Sequence, residues 1–414
     1  MVVLIFILAL IVISYGLYVS VTGLFTFFKN RTKVNTYGPE TRFAVLIPAR
    51  NEEEVIGSLI DSLKKQDYPQ ELYEIYTLIN NCDDSTPDIA EECGANLMRM
   101  SGNVSSKGDV LKEAFEGLSG KGFDAFIVFD ADNVVHPGFL KKMNNVYQSG
   151  YKVAQGRKDS KNMNDNWISA GYSLFYNLQN FFFNRARTHI KASATINGTG
   201  FMVSEDLVKD GFNPLSITED IELSIMCILK GHKVVYCDDA ITYDEQPTQF
   251  SAAWHQRMRW SKGIMQCTGI YSKSLFSRFL KEKDFSSLDK IFFMISPYMQ
   301  VFALLPVILT VFAYAFHLAD DSFLHSAMLT TSFGFAAGYF LTIVVCIFTI
   351  GWYKQDLKGS LSGIFLFMIF MMTWIPINIK CIIKKNDNFN WVPVRHCRNV
   401  DANALIYRAK VLEK

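Results

Sequence analysis

No charged side chain occurs between Val2 and Phe28. An α-helix needs roughly 20 apolar residues to cross the hydrocarbon core of a bilayer, and this run exceeds that length. A cleaved signal peptide would place basic residues ahead of a shorter apolar core and a small-residue cleavage site behind it. Here nothing basic precedes the run, while Lys29, Arg31 and Lys33 follow it. The run reads as a permanent anchor, and the positive-inside rule puts residue 29 onward in the cytoplasm.

Three more stretches without Asp, Glu, Lys or Arg lie near the other end, at Ile291–Ala319, Ser322–Tyr353 and Gly359–Ile379. Asp320 and Asp321 separate the first two and suit an outer loop; the break at Lys354–Lys358 suits a cytoplasmic one. A third full crossing would put Lys380, Lys384, Lys385, Arg395 and Arg398 outside, against the same rule. The third stretch is therefore expected to be re-entrant or to lie flat, helped by Pro376, with a cytoplasmic C-terminus.

Between these ends the chain reads as an α/β domain. Strand-length apolar runs recur at Phe43–Ile47, Ile75–Ile79, Ala125–Phe129 and Val234–Tyr236. Helical patterns alternate with them, as in Glu52–Lys65, where Val55, Ile56, Leu59, Ile60 and Leu63 form one stripe. Such alternation predicts a mostly parallel sheet with helices on both faces. The 41 basic and 40 acidic residues nearly cancel, which argues against nucleic acid as a partner. None of the 8 cysteines has CxxC spacing, so zinc ribbons and disulfide scaffolds fit poorly. Dinucleotide-binding GxGxxG, Walker, HExxH and GxSxG motifs are missing as well.

In open α/β sheets, ligands bind beyond the carboxyl ends of the strands. Polar clusters stand at three such ends: Pro48 to Glu54, Asn80 to Thr86, and Asp130-Ala131-Asp132-Asn133. The simpler reading makes each a helix start, with Asn51 and Asp84 as N-caps. Three clusters at successive strand ends weaken it. A D-x-D leaving a strand turns both carboxylates to one side. Two close anions call for a cation, and magnesium or manganese would bring substrate phosphates with it.

Ser216-Ile217-Thr218-Glu219-Asp220 precedes an apolar helical stripe, and Ser216 with Glu219 fits a capping box. In that first turn the helix dipole would hold Asp220 ionised at neutral pH, ready to take a proton from a hydroxyl. In the segment Trp254–Trp260, Gln256, Arg259 and Trp260 fall on one helical face and Arg257 on another. An amide, a guanidinium and an indole suit a phosphate leaving group and a flat sugar face. An interfacial helix with snorkelling residues explains the same segment, and the two readings are compatible.

Together, D-x-D at Asp130/Asp132, T-E-D at Thr218–Asp220 and Q-x-x-R-W at Gln256–Trp260 resemble the signature of membrane-bound family 2 glycosyltransferases. That group includes cellulose, hyaluronan, chitin and poly-N-acetylglucosamine synthases. The resemblance implies a GT-A-type nucleotide-sugar domain inserted between N-terminal and C-terminal transmembrane helices. It divides the chain into an anchor (1–28), a cytoplasmic transferase domain (29–245), interfacial helices (246–290), a membrane region of two to three spans (291–383) and a tail (384–414). Pro48, Asn51 and Glu52 resemble the uridine-binding P-x-x-N-E, and Lys107 the next nucleotide contact. Asp130 and Asp132 resemble the ribose and metal ligands, with Mg2+ or Mn2+ implied. Gly198, Thr199 and Gly200 resemble the loop near the acceptor sugar. Asp220 resembles the catalytic base with Glu219 beside it, while Gln256, Arg259 and Trp260 resemble the cap over diphosphate and acceptor. The departure is Asn80, where many members carry an Asp against the nucleobase.

The implied reaction is a single inverting displacement from a UDP-sugar, UDP-N-acetylglucosamine or UDP-glucose by analogy. The leading expectation is a processive synthase that extends a polysaccharide and exports it. The alternative is transfer of one sugar to a lipid-linked acceptor. Three or four helices scarcely enclose a sugar-wide channel, so export would call for a homo-oligomer. A transporter or scaffold would be expected to carry intramembrane acids or bases, which these stretches lack. Trp391–His396 in the tail offers an aromatic and two cationic groups for a loop closing over the donor, although a plain surface tail is the simpler reading.

Overall fold

The computed structural model describes residues 1–102, 104, 106–318, 320–384 and 398. Its centre is one eight-stranded sheet: β1 (Phe43–Ala49), β2 (Tyr73–Ile79), β3 (Asn96–Arg99), β4 (Ala125–Val128), β5 (Val134–Val135), β6 (Val153–Ser160), β7 (Phe201–Ser204) and β8 (Val235–Asp244). Alternation along β1 explains its two-sided burial. Phe43, Val45 and Ile47 join a core with Ile56, Leu59, Ile60 and Leu63, the stripe of helix Ile56–Lys64. Ala44 and Leu46 face the opposite core, filled by Val110, Leu111, Ala114 and Phe115 from helix Lys107–Leu118.

The sheet is mixed rather than mostly parallel. Its order is β3-β2-β1-β4-β7-β6-β8-β5. The pairs β3–β2, β2–β1, β1–β4 and β6–β8 are parallel, whereas β4–β7, β7–β6 and β8–β5 are antiparallel. Apolar periodicity reports that a strand is buried but not which way it runs. Direction follows from the connections. The loop before β7 enters the sheet at the carboxyl end of β4, where Gly200 N donates to Val128 O at 2.8 Å. A strand starting there must run backward.

The expected helix from Glu52 begins only at Ile56. Asn51 adopts the left-handed conformation at φ 58°, and its Oδ1 accepts from Asp83 N at 2.9 Å. Glu52 N donates to Thr86 Oγ1 at 2.8 Å and Glu53 N to Asp84 Oδ2 at 3.2 Å. These bonds lace the loops after β1 and β2 together and take up the groups that would have opened the helix. Neither Asn51 nor Asp84 is an N-cap; Val55 and Ser85 stand at those positions.

Among the described residues, four helices are long and apolar enough to cross a membrane: Val2–Phe27, Ser296–Ala315, Asp321–Trp352 and Leu361–Ile383. The last is broken at Thr373, between helices Leu361–Met372 and Trp374–Ile383. The first helix is tied down by the Tyr18 hydroxyl, which donates to Asp289 Oδ1 at 2.5 Å. The same buried carboxylate pairs with Arg187 at 3.1 Å. On the other flank, Tyr172 and Tyr176 from helix Trp167–Leu178 pack with Ile350, Ile364, Phe367 and Phe370 of the C-terminal helices. The sheet domain and the apolar helices thus share a core.

Candidate active site

The carboxyl ends of β1, β2 and β4 open on a cleft of about 1250 Å3. It gathers Pro48, Glu52 and Asn80 from the first two strand ends, Asp130 and Asp132 from the third, and Lys107, Gly198, Glu219 and Asp220 from later elements. Gln256, Arg259 and Trp260 line it from the helix Phe250–Glu282.

Lys107 joins the two acidic motifs. Ser106 opens its helix with a reciprocal capping box to Asp109, which fixes where Lys107 projects. The ammonium pairs with Asp130, donates to Gly198 O at 2.7 Å and lies 3.9 Å from Glu219 Oε1. Burial alone would lower its pKa, but Asp130, Glu219 and Asp220 outweigh that and hold it raised.

Asp132 is nearly buried, at 4 % exposure. Its carboxylate accepts from Glu245 N at 3.2 Å and from Asn133 Nδ2 at 3.2 Å. No cluster of three metal-binding side chains occurs among the described residues. Two carboxylates lining the cleft still fit Mg2+ or Mn2+, because such ions are commonly held by one or two carboxylates plus substrate phosphates. The arrangement suits a metal that arrives with a diphosphate rather than a self-sufficient protein cage.

Asp220 departs from expectation in its charge. It sits in the first turn of helix Glu219–Leu229, with Oδ1 accepting from Ile221 N at 2.8 Å. Desolvation, reinforced by Glu219, nevertheless pushes its pKa up to about 7, against the pull of Ile221 N, Lys107 and Arg259. The helix dipole alone does not keep it ionised. The expected capping box is missing as well: Glu222 reaches back instead and accepts from Leu215 N at 2.8 Å and Ser216 N at 2.7 Å. That leaves Glu219 free of a capping role and turned toward Lys107. A Cβ added to Gly198, whose φ is +80°, would stand 3.6 Å from Asp220 Oδ2, so this glycine keeps space open beside the carboxylate.

Thr199 and Gly200 do not reach the cleft, contrary to their expected acceptor contacts. Thr199 is fully buried; its Oγ1 accepts from Asp130 N at 3.0 Å, and the hydroxyl donates to Asn133 Oδ1. It supports the D-x-D from below. Asn51 likewise does not line the cleft, being committed to the loop lacing described above.

On the long helix, Trp260 packs against Phe175 and Trp374, with centroids at 6.4 and 6.2 Å, and those two rings lie 6.0 Å from each other, closing a triangle. Arg257 points the other way. Its guanidinium lies 4.4 Å from the Phe370 ring and donates to Phe370 O at 3.2 Å and Thr373 Oγ1 at 2.6 Å. Asn80 Oδ1, Asn197 Nδ2, Gln256 Oε1, Trp374 Nε1 and Asn378 Oδ1 are buried without a hydrogen-bond partner among the described residues, and all five residues line the cleft. Each such atom costs about 1–3 kcal/mol unless something bonds it.

The sequence reading missed Lys158, Asp244 and Tyr176. Lys158 pairs with Asp244 at 2.6 Å, over the Tyr176 ring at 4.5 Å, and all three line the cleft. The signal was available in Arg157-Lys158-Asp159, three charges inside a buried strand. Also missed were Gln300 and Asn378, polar side chains in otherwise apolar helices. Trp391–His396 lies outside the described residues.

Residues 39–263 match the family described as glycosyltransferase like family 2. The β-monoglucosyldiacylglycerol synthase of Synechocystis sp. is 28 % identical over 237 residues, covering 55 % of this chain and 49 % of the relative. The probable glycosyltransferase YdaM of Bacillus subtilis is 28 % identical over 243 residues, covering 54 % and 55 %. The chain thus spans about half the length of the curated relatives it matches. Its fold is similar to that of the mannosyltransferase PcManGT from Pyrobaculum calidifontis, solved with GDP-Man and Mn2+. The TM-score is 0.63 at 16 % identity, covering 92 % of this chain and 99 % of that one. With just over half of its length matched, the chain belongs to the family 2 glycosyltransferases.

Proposed function

We propose that the protein moves one sugar, with inversion, from a nucleoside diphosphate donor to a hydroxyl of a membrane lipid, with its catalytic domain on the cytoplasmic side. The observation that carries this reading is the continuity of the cleft. Strand-end carboxylates and side chains of the apolar helices, including Ser296, Gln300, Trp374 and Asn378, line one space. A lipid acceptor can therefore meet Asp220 without leaving the bilayer surface. The processive, exporting reading is less well supported, since the four apolar helices among the described residues leave little room for a polymer channel. The Synechocystis relative, moreover, is named for a diacylglycerol lipid.

In the mechanism, Asp220 as carboxylate accepts the hydroxyl proton while the acceptor oxygen bonds to the sugar C1. The bond from C1 to the diphosphate oxygen breaks on the opposite side. Arg259 and Gln256 face the departing group, and a guanidinium there stabilises the growing charge. A divalent ion held by Asp130 and Asp132 would neutralise the leaving diphosphate as a Lewis acid. Lys107 keeps the two acidic motifs in register, and Trp260 offers the sugar a flat apolar face.

The proposed orientation draws support from Lys29, Arg31 and Lys33 after the first apolar helix. Arg398 adds to it: its backbone N donates to Glu245 Oε2 at 3.1 Å and its guanidinium pairs with Asp165, beside the catalytic cleft. These contacts support a residue 398 on the same side as the catalytic domain.

The test is incubation of the full chain in detergent with radiolabelled UDP-glucose, UDP-N-acetylglucosamine and GDP-mannose, Mn2+ or Mg2+, and lipid acceptors. A lipid carrying one added sugar is the expected product. High-molecular-weight polymer would return the case to a processive synthase.

A further inference from the structure

The cleft changes chemistry along its wall. Its basic lining residues, Arg50, Lys107, Lys158, His255 and Arg259, all precede residue 260. Beyond residue 290 the described lining carries no charge, and its polar members are Ser296, Gln300, Trp374 and Asn378. Asn378 is fully buried at 0 % exposure. Its Nδ2 donates to Gln300 Oε1 at 2.8 Å, bridging helices Trp374–Ile383 and Ser296–Phe302. Its Oδ1 has no partner among the described residues, and neither has Trp374 Nε1, on a residue 7 % exposed.

Resting on the lipid-transferase reading above, we infer that Gln300, Trp374 and Asn378 form a headgroup subsite for an uncharged lipid whose polar end offers hydroxyls and no phosphate. A hydroxyl both donates and accepts, so it complements an amide oxygen and an indole N–H. The Arg257 guanidinium lies 5.8 Å from the Trp374 ring but is bonded to Phe370 O and Thr373 Oγ1 and does not line the cleft, so a lipid phosphate would bring a full negative charge against a described lining with no cation, a desolvation that two neutral groups do not repay.

The subsite is held in place from the catalytic side. Trp374, the first residue of the helix after Thr373, stacks on Trp260 at 6.2 Å. Arg257, on the same helix as Trp260, bonds Phe370 O and Thr373 Oγ1 just ahead of Trp374. The face of Trp260 and the polar atoms of Trp374 and Asn378 therefore belong to one rigid junction. An acceptor held there has its reactive hydroxyl on the Asp220 side and its chains among the apolar helices.

The experiment uses the full chain in detergent micelles with radiolabelled UDP-glucose, UDP-N-acetylglucosamine and GDP-mannose. Three acceptors are compared: dioleoylglycerol, its monoglucosylated form and undecaprenyl phosphate. A neutral lipid is expected to exceed the phosphate lipid in kcat/KM by at least about tenfold. Trp374→Phe removes the N–H together with the five-membered part of the indole and leaves an aromatic ring at that position; it should raise the KM for the neutral lipid roughly threefold to tenfold. Asn378→Leu should do the same, with the donor KM moving less than about twofold in both. Preference for undecaprenyl phosphate, or an unchanged lipid KM in Trp374→Phe, overturns the subsite. If Asn378→Leu does not fold, Trp374→Phe decides alone. Polymer, or no lipid product with any acceptor, counts instead against the transferase reading on which the subsite rests.

Discussion

The two walls of the cleft are built in opposite ways. The wall at the strand ends is dense with charge: Asp130, Asp132, Glu219 and Asp220 face Lys107, while Asp244 pairs with Lys158. The wall supplied by the apolar helices is neutral, with amides and an indole in place of ions. Fixed charges in a partly dry site suit a diphosphate and its metal. A neutral wall suits a substrate that stays in the membrane interface. Asp220 lines the same cleft, and on the proposed reading one wall delivers the sugar to it and the other the hydroxyl.

The largest expected effect breaks the link between the walls. Asp220→Asn should lower transfer by about 10²–10⁴-fold while donor binding, read by calorimetry, persists. Full turnover by that variant removes Asp220 as the base. Asp132→Ala acts on the charged wall alone and should cost about 10²–10³-fold, abolishing the divalent-ion dependence seen on chelator titration.

The pH profile sharpens the comparison further. Asp220 must be ionised to accept a proton, so kcat/KM should rise about tenfold per pH unit up to about 7 and level above it. Lys107→Met removes a cation that favours the carboxylate and should move that limb upward by roughly one unit. Glu219→Gln removes an anion and should move it downward. Limbs shifting in the same direction would show that the ionisation belongs elsewhere.

The smallest effect is at Asn80. Its buried Oδ1 has no partner among the described residues, and the residue lines the cleft, where a nucleobase N–H would satisfy it. Asn80→Ala should raise the donor KM by about threefold to tenfold and leave the lipid KM unchanged.

Much of the charged wall was legible because its motifs are local. Asp130 and Asp132 leave the end of one strand, and Gln256, Arg259 and Trp260 share one helical face. Periodicity alone is enough to put such groups together. Where several elements compete for one residue, the reading went astray. Thr199 was drawn beneath the site because a buried Asp130 N needed an acceptor. Asn51 was taken by the loop after β2. The ionisation of Asp220 depended on how much water the assembled cleft excludes, which no helix position reveals.

The chain's own order of residues determined the apolar anchors, the burial of the strands and the strand-end carboxylates, because each follows from spacing along a single element. Only packing decided the antiparallel course of β7, the Lys107 bridge and the meeting of Trp260, Trp374, Gln300 and Asn378. Those depend on contacts between segments as much as 100 residues or more apart, such as Arg257 and Phe370. Periodicity marks which face of an element is buried, whereas the identity of the group opposite is set when the elements close on one another.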